Sequence, residues 1–432
     1  MNYQETVQYL FSQTPVFEKI GVGAYKPGLQ TTHTLDEHFH HPHRKFTSIH
    51  VAGTNGKGSV SHTLAAILQS QGYKVGLYTS PHLVDFRERI KVNGECISEQ
   101  FIVDYVERER SFFEPLCPSF FELTTALAFH YFAIKNVDYA VIEVGLGGRM
   151  DCTNIITPQL SVITNIGLDH TQFLGDTLAA VASEKAGIIK HGVPVVIGHS
   201  QPEIRPVFED VAQRNEAKII FAEDCLEVCG IEMVNENHQN MICHTCSFGN
   251  ITLSLTGDCQ KENANTVLHA VRILREKGCE ISDEAVRNGF SQVLSLTGLR
   301  GRWEYIKEKC PTVVCDTGHN VEAWQWLSKQ LSRQHCRIMH IVFGMVDDKD
   351  LEGVLALLPT EVSYYFCQAS THRAVPVQQV AAAACRHGLQ GTAFATVGDA
   401  YRAAVKEAHH NDFIFIGGSS YVVADLLTYI ST

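Results

Sequence analysis

The sequence has no long run of basic residues, and its formal net charge is −12 at pH 7. Because duplex binding depends on clustered Lys and Arg that neutralise phosphates, this charge balance argues against a nucleic-acid partner. No apolar run approaches the length of a membrane span, and the N-terminal stretch, which contains Glu5, shows no signal peptide. We therefore expect a protein that binds neither nucleic acid nor membrane.

The chain also lacks disulfide-framework spacing, internal repeats and low-complexity segments. Its 14 cysteines are scattered through 432 residues, as expected in a reducing cytoplasm. Some of them are spaced as zinc ligands can be, but they fall in a predicted β-rich insert, and free thiols are the favoured interpretation. These residues are Cys225, Cys229, Cys243 and Cys246.

Short apolar runs alternate with helix-like segments in two parts of the chain. Near-continuous apolar strands separated by helices predict mostly parallel sheets covered on both faces. The polar, glycine-containing segment 296–302 marks the predicted domain boundary. We expect a doubly wound α/β domain over residues 1–295, a linker over 296–301 and a smaller Rossmann-like α/β domain over 302–432. The predicted strands are residues 46–52, 74–79, 139–144, 160–164, 193–197, 312–315, 337–343, 363–366 and 413–416, with a β-rich insert at about 218–255.

Residues 50–59 (HVAGTNGKGS) form a glycine-rich turn between a predicted strand and a predicted helix. Such a turn points backbone amides and a helix N-terminus at an anion, Lys57 adds a positive charge, and a hydroxyl can reach Mg²⁺. The match to the general phosphate-loop pattern is incomplete, because Val51 stands at its first glycine and Gly58 separates Lys57 from Ser59. The first domain is therefore predicted to be a P-loop ATPase domain. Its predicted nucleotide-binding residues are Gly53, Thr54, Asn55, Gly56, Lys57, Gly58 and Ser59.

Polar residues also stand at the ends of the next predicted strands. Ser80 follows one strand, Glu143 ends another, and His170 lies beside Asp169 after a third. Open parallel sheets bind ligands at the carboxyl ends of their strands. Since Mg²⁺ prefers oxygen ligands together with substrate phosphates, this edge predicts a magnesium–nucleotide site.

With these motifs the chain resembles the Mur ligase superfamily, and within it the folylpolyglutamate and dihydrofolate synthases. The resemblance covers nearly the whole chain, and in this branch the phosphate loop reads GTNGKGS, so its departure from the general pattern is the family's own form. The motifs that carry it are HVAGTNGKGS (50–59), SPHL (80–83), EVGLGGRMDCTN (143–154), ITNIGLDH (163–170), EKAGI (184–188), GDCQKEN (257–263), DTGHN (316–320), GM with KD (344–345 and 349–350) and GGS (417–419).

The resemblance implies a metal site and a phosphate clamp. Ser80, Glu143 and His170 would ligate Mg²⁺, and Lys57 would hold the β- and γ-phosphates of ATP. Lys185 matches a lysine that the family carries as a carbamate, an N6-carboxylated form whose oxygens bind metal. A solvated helix lysine is the alternative interpretation of Lys185.

The resemblance also implies substrate contacts. The positions that match ATP contacts are Asn263, Arg302, Asp316 and His319. His319, expected to be catalytic with Lys57 and Lys185, would also lie near the incoming L-glutamate together with Ser419, whereas Asp151 and residues 21–30 would shape the pterin site. Cys259 and the Thr317-Gly318 pair depart from the usual family residues, so the fine contacts around them are open.

The implied reaction is amide formation. ATP converts a folate or pteroate carboxylate into an acyl phosphate, the amine of L-glutamate attacks it, and ADP and phosphate leave. We expect a cytoplasmic, monomeric, Mg²⁺-dependent enzyme that acts on dihydropteroate, on reduced folates or on both. One alternative is a Mur ligase for a UDP-linked precursor, for which the 49 residues before His50 are too few to form the usual UDP-sugar domain. Another is a non-catalytic nucleotide-binding switch, in which the motifs of Lys185 and His319 would have no use.

Overall fold

A computed structural model describes residues 1–13, 28–233, 240–307 and 310–431 of the chain. The chain divides into two compact units, and near the predicted linker the division falls between Leu299 and Arg300. The boundaries at 295 and 302 stay a prediction. The first unit comprises Met1–Glu232, Ile242–Ser254 and Gln260–Leu299, and the second comprises Met233–Met241, Leu255–Cys259 and Arg300–Thr432.

The first unit is built on an eight-stranded sheet with the order β4-β3-β2-β5-β1-β6-β7-β8. The strands from β2 through β8 in this order pair in parallel, whereas β3 and β4 form an antiparallel edge. The strands are β1 (Thr47–Ala52), β2 (Val75–Tyr78), β3 (Ile90–Val92), β4 (Glu95–Cys96), β5 (Tyr139–Glu143), β6 (Leu160–Ile163), β7 (Val195–Ile197) and β8 (Ile219–Phe221).

Helices connect these strands, and polar caps begin several of them. Ser119 accepts a hydrogen bond from the backbone of Glu122, whose side chain bonds back to the Ser119 backbone, so this capping box fixes the start of the helix Phe120–Lys135. The described helices of this unit are α1 (Tyr3–Gln13), α2 (Gln30–His38), α3 (Lys57–Ser70), α4 (Glu99–Phe113), α5 (Phe120–Lys135), α6 (Thr171–Leu174), α7 (Leu178–Ala186), α8 (Arg205–Arg214), α9 (Gln260–Glu276), α10 (Asp283–Ser291) and α11 (Val293–Thr297).

The predicted β-rich insert separates into two parts. Strand β8 joins the parallel sheet, and the following strands form a separate sheet with the order β11-β10-β9. They are β9 (Val228–Met233), β10 (Met241–Thr245) and β11 (Asn250–Leu253).

The second unit contains a six-stranded sheet with the order β12-β13-β17-β14-β15-β16. Its strands pair in parallel except for β12, which runs antiparallel to β13. The strands are β12 (Glu304–Lys307), β13 (Thr312–Cys315), β14 (Met339–Phe343), β15 (Ser363–Cys367), β16 (Gly391–Phe394) and β17 (Phe413–Gly417). The helices are α12 (Val321–Ser332), α13 (Leu351–Leu355), α14 (Val377–Arg386), α15 (Val397–Glu407) and α16 (Ser420–Ser431).

The predicted α/β class with mostly parallel sheets is confirmed. Five strands were not predicted as separate strands: the edge strands β4, β8, β12 and β16, and the short strand β3 beside β4. Edge strands bury less of their surface, and in β4 and β16 every residue is exposed or half-buried, so they lack the continuous apolar run of a central strand. None of the described helices is both long enough and apolar enough to cross a membrane.

His50, on central strand β1, is a fully buried titratable group. Its Nε2 lies 2.8 Å from Thr153 Oγ1, and within the described part of the chain its Nδ1 has no partner. Burial lowers the pKa of His50 from 6.5 to about 3, with Lys190 contributing a smaller effect. The ring therefore stays neutral in the folded protein at a pH where it is protonated in the unfolded chain.

We expect His50 to make the fold less stable as the pH falls below about 6.5, because the unfolded chain then binds a proton that the folded protein refuses until about pH 3. At pH 5 this loss is about 2 kcal/mol. Denaturant unfolding at pH 7 and pH 5 should show a smaller decrease in His50→Gln, which keeps an amide nitrogen near the Nε2 position. An identical decrease in both proteins would contradict the assignment.

Candidate active site

The phosphate loop leaves β1 at Ala52 and reaches α3 at Lys57. Gly53 and Gly56 have φ values of 147° and 83°, in the region that favours glycine. A Cβ atom on Gly53 would lie 1.9 Å from Thr164 Oγ1, and one on Gly56 would lie 2.4 Å from Asn263 Oδ1. Both glycines are therefore required by backbone conformation and by close packing.

The segment that follows β6 fixes the middle of this loop. The backbone amides of Thr54 and Asn55 donate to the backbone and side-chain oxygens of Asn165, at 3.1 and 2.8 Å. The Thr54 hydroxyl donates to the Gly167 carbonyl at 3.0 Å, and the Thr164 hydroxyl donates to the Asn55 carbonyl at 2.5 Å. The loop is thus held in shape by contacts within the protein.

Two lysines converge on the carbonyl oxygen of Gly53. Lys57 Nζ donates to it at 3.0 Å and to the Thr54 carbonyl at 3.1 Å. Lys185 Nζ, from α7, donates to the same Gly53 oxygen at 2.9 Å. Lys185 is only 4% exposed, so its alternative interpretation as a solvated helix lysine is wrong.

Two of the predicted metal ligands lie together at the strand ends. The Ser80 backbone amide lies 3.4 Å from Glu143 Oε2. Glu143 is buried, with 3% of its surface exposed. A buried carboxylate beside a serine is the oxygen-rich donor set that a hard divalent cation prefers.

His170, the third predicted ligand, precedes α6 and has a φ of 50°. Its backbone amide donates to Asp169 Oδ1 at 2.8 Å, and its Nε2 is 4.0 Å from the same oxygen. Among the described residues, no group of three or more His, Cys, Asp and Glu side chains is arranged to hold a metal ion. Of the predicted magnesium ligands, only Glu143 and His170 are residues of these four types. The absence of such a group therefore does not test the predicted magnesium site.

Asp151 closes the loop that follows β5. Its carboxylate accepts hydrogen bonds from the Leu146 amide at 2.8 Å, the Thr153 amide at 2.9 Å and the Thr153 hydroxyl at 2.5 Å. Burial raises the pKa of Asp151, and these hydrogen bonds oppose the rise. In this structure the Asp151 carboxylate shapes the loop by binding the backbone amides of Leu146 and Thr153. The other predicted pterin element, residues 21–30, lies outside the described residues as far as position 27.

The first turn of α9 lies over the phosphate loop. Gln260 Nε2 donates to Ser59 Oγ at 3.3 Å, and Asn263 Nδ2 donates to Gln260 Oε1 at 3.0 Å. Asn263 also approaches Gly56. Gln260 is not among the predicted site residues, although its position three residues before Asn263 places both on one helix face.

In the second unit, Asp316 directly follows β13. Its carboxylate accepts hydrogen bonds from the backbone amides of Trp303 and Gly318, each at 2.7 Å. Burial raises the pKa of Asp316, while the nearby Arg302 guanidinium acts in the opposite direction. Arg302 donates to the Thr317 hydroxyl and, at 3.2 Å, to the Gly301 carbonyl.

The remaining predicted residues lie beside this group at the same sheet edge. His319 Nδ1 is 3.0 Å from the Thr317 carbonyl oxygen. Ser419 follows β17, which pairs in parallel with β13, and its Oγ accepts the Val422 amide at 3.2 Å. The carboxyl ends of β13 and β17 therefore carry a carboxylate, an imidazole and a hydroxyl, and the Arg302 guanidinium, which precedes β12, contacts Thr317 beside them.

Two known protein domains match most of the chain. Residues 51–271 match the Mur ligase middle domain, and residues 301–420 match the Mur ligase glutamate ligase domain. The chain belongs to the Mur ligase family. The dihydrofolate synthase/folylpolyglutamate synthase of Bacillus subtilis is 37% identical to this Mur ligase over 352 residues, which are 79% of this chain and 80% of the relative.

Two solved structures resemble this Mur ligase closely. The structure of E. coli FolC in complex with DHPP and ADP has a TM-score of 0.83 and 29% identity, and the match covers 100% of this chain and 98% of that one. The Yersinia pestis bifunctional folylpolyglutamate synthase/dihydrofolate synthase, complexed with AMPPNP and Mn ion, has a TM-score of 0.81 and 28% identity, with 100% and 98% covered.

These matches place the chain in the folate branch of the Mur ligases. The predicted enzyme class, an ATP-dependent glutamate ligase acting on folates, is confirmed. The two alternatives, a ligase for a UDP-linked precursor and a non-catalytic switch, do not describe this protein.

Proposed function

We propose that this ligase adds L-glutamate to both dihydropteroate and reduced folates through an acyl-phosphate intermediate. The observation that carries the proposal is the convergence of Lys57 and Lys185 on the Gly53 carbonyl, because it places two amine side chains on a loop built for phosphates. The name of the Bacillus subtilis relative joins the two synthase activities, and the E. coli structure contains DHPP with ADP.

The reaction needs activation because a carboxylate is a poor electrophile. Transfer of the γ-phosphoryl group of ATP to the carboxylate oxygen gives an acyl phosphate and ADP. The amine of L-glutamate then attacks the acyl carbon, phosphate leaves with its bridging oxygen, and the amine loses a proton. Positioning of the reactants and stabilisation of their negative charge are the protein's main contributions.

The first unit supplies the phosphate and metal contacts in this proposal. Lys57 stabilises the β- and γ-phosphates, and Ser80, Glu143 and His170 hold Mg²⁺, with a carboxylated Lys185 as a further oxygen donor. The buried Glu143 carboxylate beside Ser80 fits a hard cation. When bound, Mg²⁺ supplies positive charge that neutralises the phosphates.

The remaining roles follow the family motifs. Asn263, Arg302 and Asp316 contact ATP, whereas His319 and Ser419 bind L-glutamate, with His319 as a catalytic residue. Asp151 acts on the pterin site by fixing the loop after β5. The domain division at 1–295, 296–301 and 302–432, the monomeric state and the cytoplasmic location stay predictions.

A coupled assay tests the substrate proposal. With ATP, Mg²⁺ and L-glutamate, we expect ADP release that depends on dihydropteroate and, in a separate reaction, on a reduced folate. Mass spectrometry of the pterin product should show one added glutamate in each case. A product with only one of the two substrates would reduce the proposal to a single activity, and no product with either would overturn it.

Lys185 variants test the carbamate. We expect Lys185→Ala to lose nearly all turnover, because the metal-binding oxygens are missing, and to recover part of it with a short-chain carboxylate. Lys185→Arg should not be rescued, since a guanidinium cannot form the carbamate and keeps its positive charge.

Two results would count against this role. One is turnover of Lys185→Ala equal to that of the parent, and the other is equal rescue of Lys185→Ala and Lys185→Arg. Lys190→Ala is a matched control, because Lys190 is half-buried and, like Lys185, bonds a backbone carbonyl, in its case that of Asn154 outside the phosphate loop. The control should keep its activity and should not respond to added carboxylate.

A further inference from the structure

Two exposed cysteines that the ligase chemistry does not use lie side by side in the first unit. Cys229 is on β9, and Cys246 directly follows β10. Both side chains are exposed, and their Sγ atoms are 2.7 Å apart. Because a disulfide bond is about 2.05 Å long, a small side-chain movement brings these sulfurs to bonding distance.

The backbone around the pair is anchored. The Cys246 amide donates to the Glu227 carbonyl at 2.8 Å, so the two segments are joined next to the thiols. Asn265, on α9, accepts hydrogen bonds from the amides of Glu227 and Val228 at 2.8 and 3.3 Å. Its Nδ2 donates to the Ala222 carbonyl at 2.8 Å. The thiols are therefore held together by a fixed frame, which favours reaction within the pair over reaction with outside thiols.

The two thiols are not equivalent. The hydrogen bond with Cys229 is the largest of the effects that raise the pKa of Cys246 to about 11, and the charge of Glu227 adds to it. A raised pKa makes the Cys246 thiolate scarce, so the first attack falls to Cys229, since thiolates rather than thiols attack disulfides. Either sulfur can be the donor of the hydrogen bond between them.

We propose that Cys229 and Cys246 form a redox-active dithiol site that exchanges with small-molecule disulfides such as oxidised glutathione. The Cys229 thiolate attacks one sulfur of the small disulfide, which breaks that S–S bond, forms a mixed disulfide and releases one thiolate. Cys246 then loses its proton and attacks the Cys229 sulfur. The intramolecular disulfide forms, the second small thiolate leaves, and the small disulfide is reduced by two electrons.

Two other cysteines of this region, Cys243 and Cys225, are the alternative reaction partners of the pair. Cys243 is buried, and burial raises its pKa to about 11, so it is a poor partner for a bulky disulfide. Cys225 is exposed, and its carbonyl oxygen lies 2.6 Å from His269 Nε2, which ties its backbone to α9. Cys225 is thus an exposed alternative partner for either thiol.

Peptide mapping tests the site. The folded protein is treated with oxidised glutathione, free thiols are alkylated, and the chain is denatured and cleaved after glutamate. This cleavage places Cys229 on peptide 228–232 and Cys246 on peptide 237–262, with Cys225 on peptide 224–227. We expect the first two peptides to be linked, with a mass about 2 Da below their reduced sum, and dithiothreitol to separate them.

Serine variants identify the partners. Cys246→Ser should lose the link and carry glutathione on Cys229 instead. Cys243→Ser and Cys259→Ser, which change the other cysteines of peptide 237–262, should keep the link. The proposal is overturned if the main link joins peptide 224–227, if the link survives in Cys246→Ser, or if the parent protein gives only glutathione adducts.

Discussion

The close packing of Gly53 against the segment after β6 is the constraint on which the proposed site depends. There is no room for a side chain, since a Cβ atom would lie 1.9 Å from Thr164 Oγ1. The Gly53 carbonyl oxygen in turn receives both Lys57 and Lys185. One residue therefore joins the phosphate loop to a neighbouring strand and to a second helix.

The parallel sheets explain why so many motif residues meet. Strands β1, β2, β5 and β6 are neighbours in one sheet, so their exit loops share one edge. Distant parts of the sequence, such as Ser80 and Glu143, come into hydrogen-bonding range there. In the second unit the parallel neighbours β13 and β17 likewise bring the segments of Asp316 and Ser419 to one edge of the sheet. Each unit thus collects polar groups at strand ends while its apolar strands are buried.

The sequence predicted the central strands and the phosphate loop well, because a buried parallel strand is continuously apolar and a phosphate loop needs glycine at fixed positions. Exposed edge strands such as β16 carry no such pattern. Periodicity also could not show that Lys185 is buried, since this depends on packing between segments more than 100 residues apart. Gln260 escaped prediction for the same reason, because its contact with Ser59 spans 201 residues.

Nucleotide binding by Gly53→Ala measures the central constraint most directly. Gly192→Ala is the matched control, because Gly192 also has a positive φ, of 68°, but no atom lies within 4 Å of its added Cβ. Gly192→Ala should lose about 1–2 kcal/mol of stability from backbone strain, and Gly53→Ala should lose more, because its Cβ also meets Thr164 Oγ1. Calorimetric titration with a non-hydrolysable ATP analogue and Mg²⁺ should show affinity at least about tenfold weaker for Gly53→Ala, a cost of about 1.4 kcal/mol or more, and unchanged for Gly192→Ala. Parental affinity in Gly53→Ala would contradict the account.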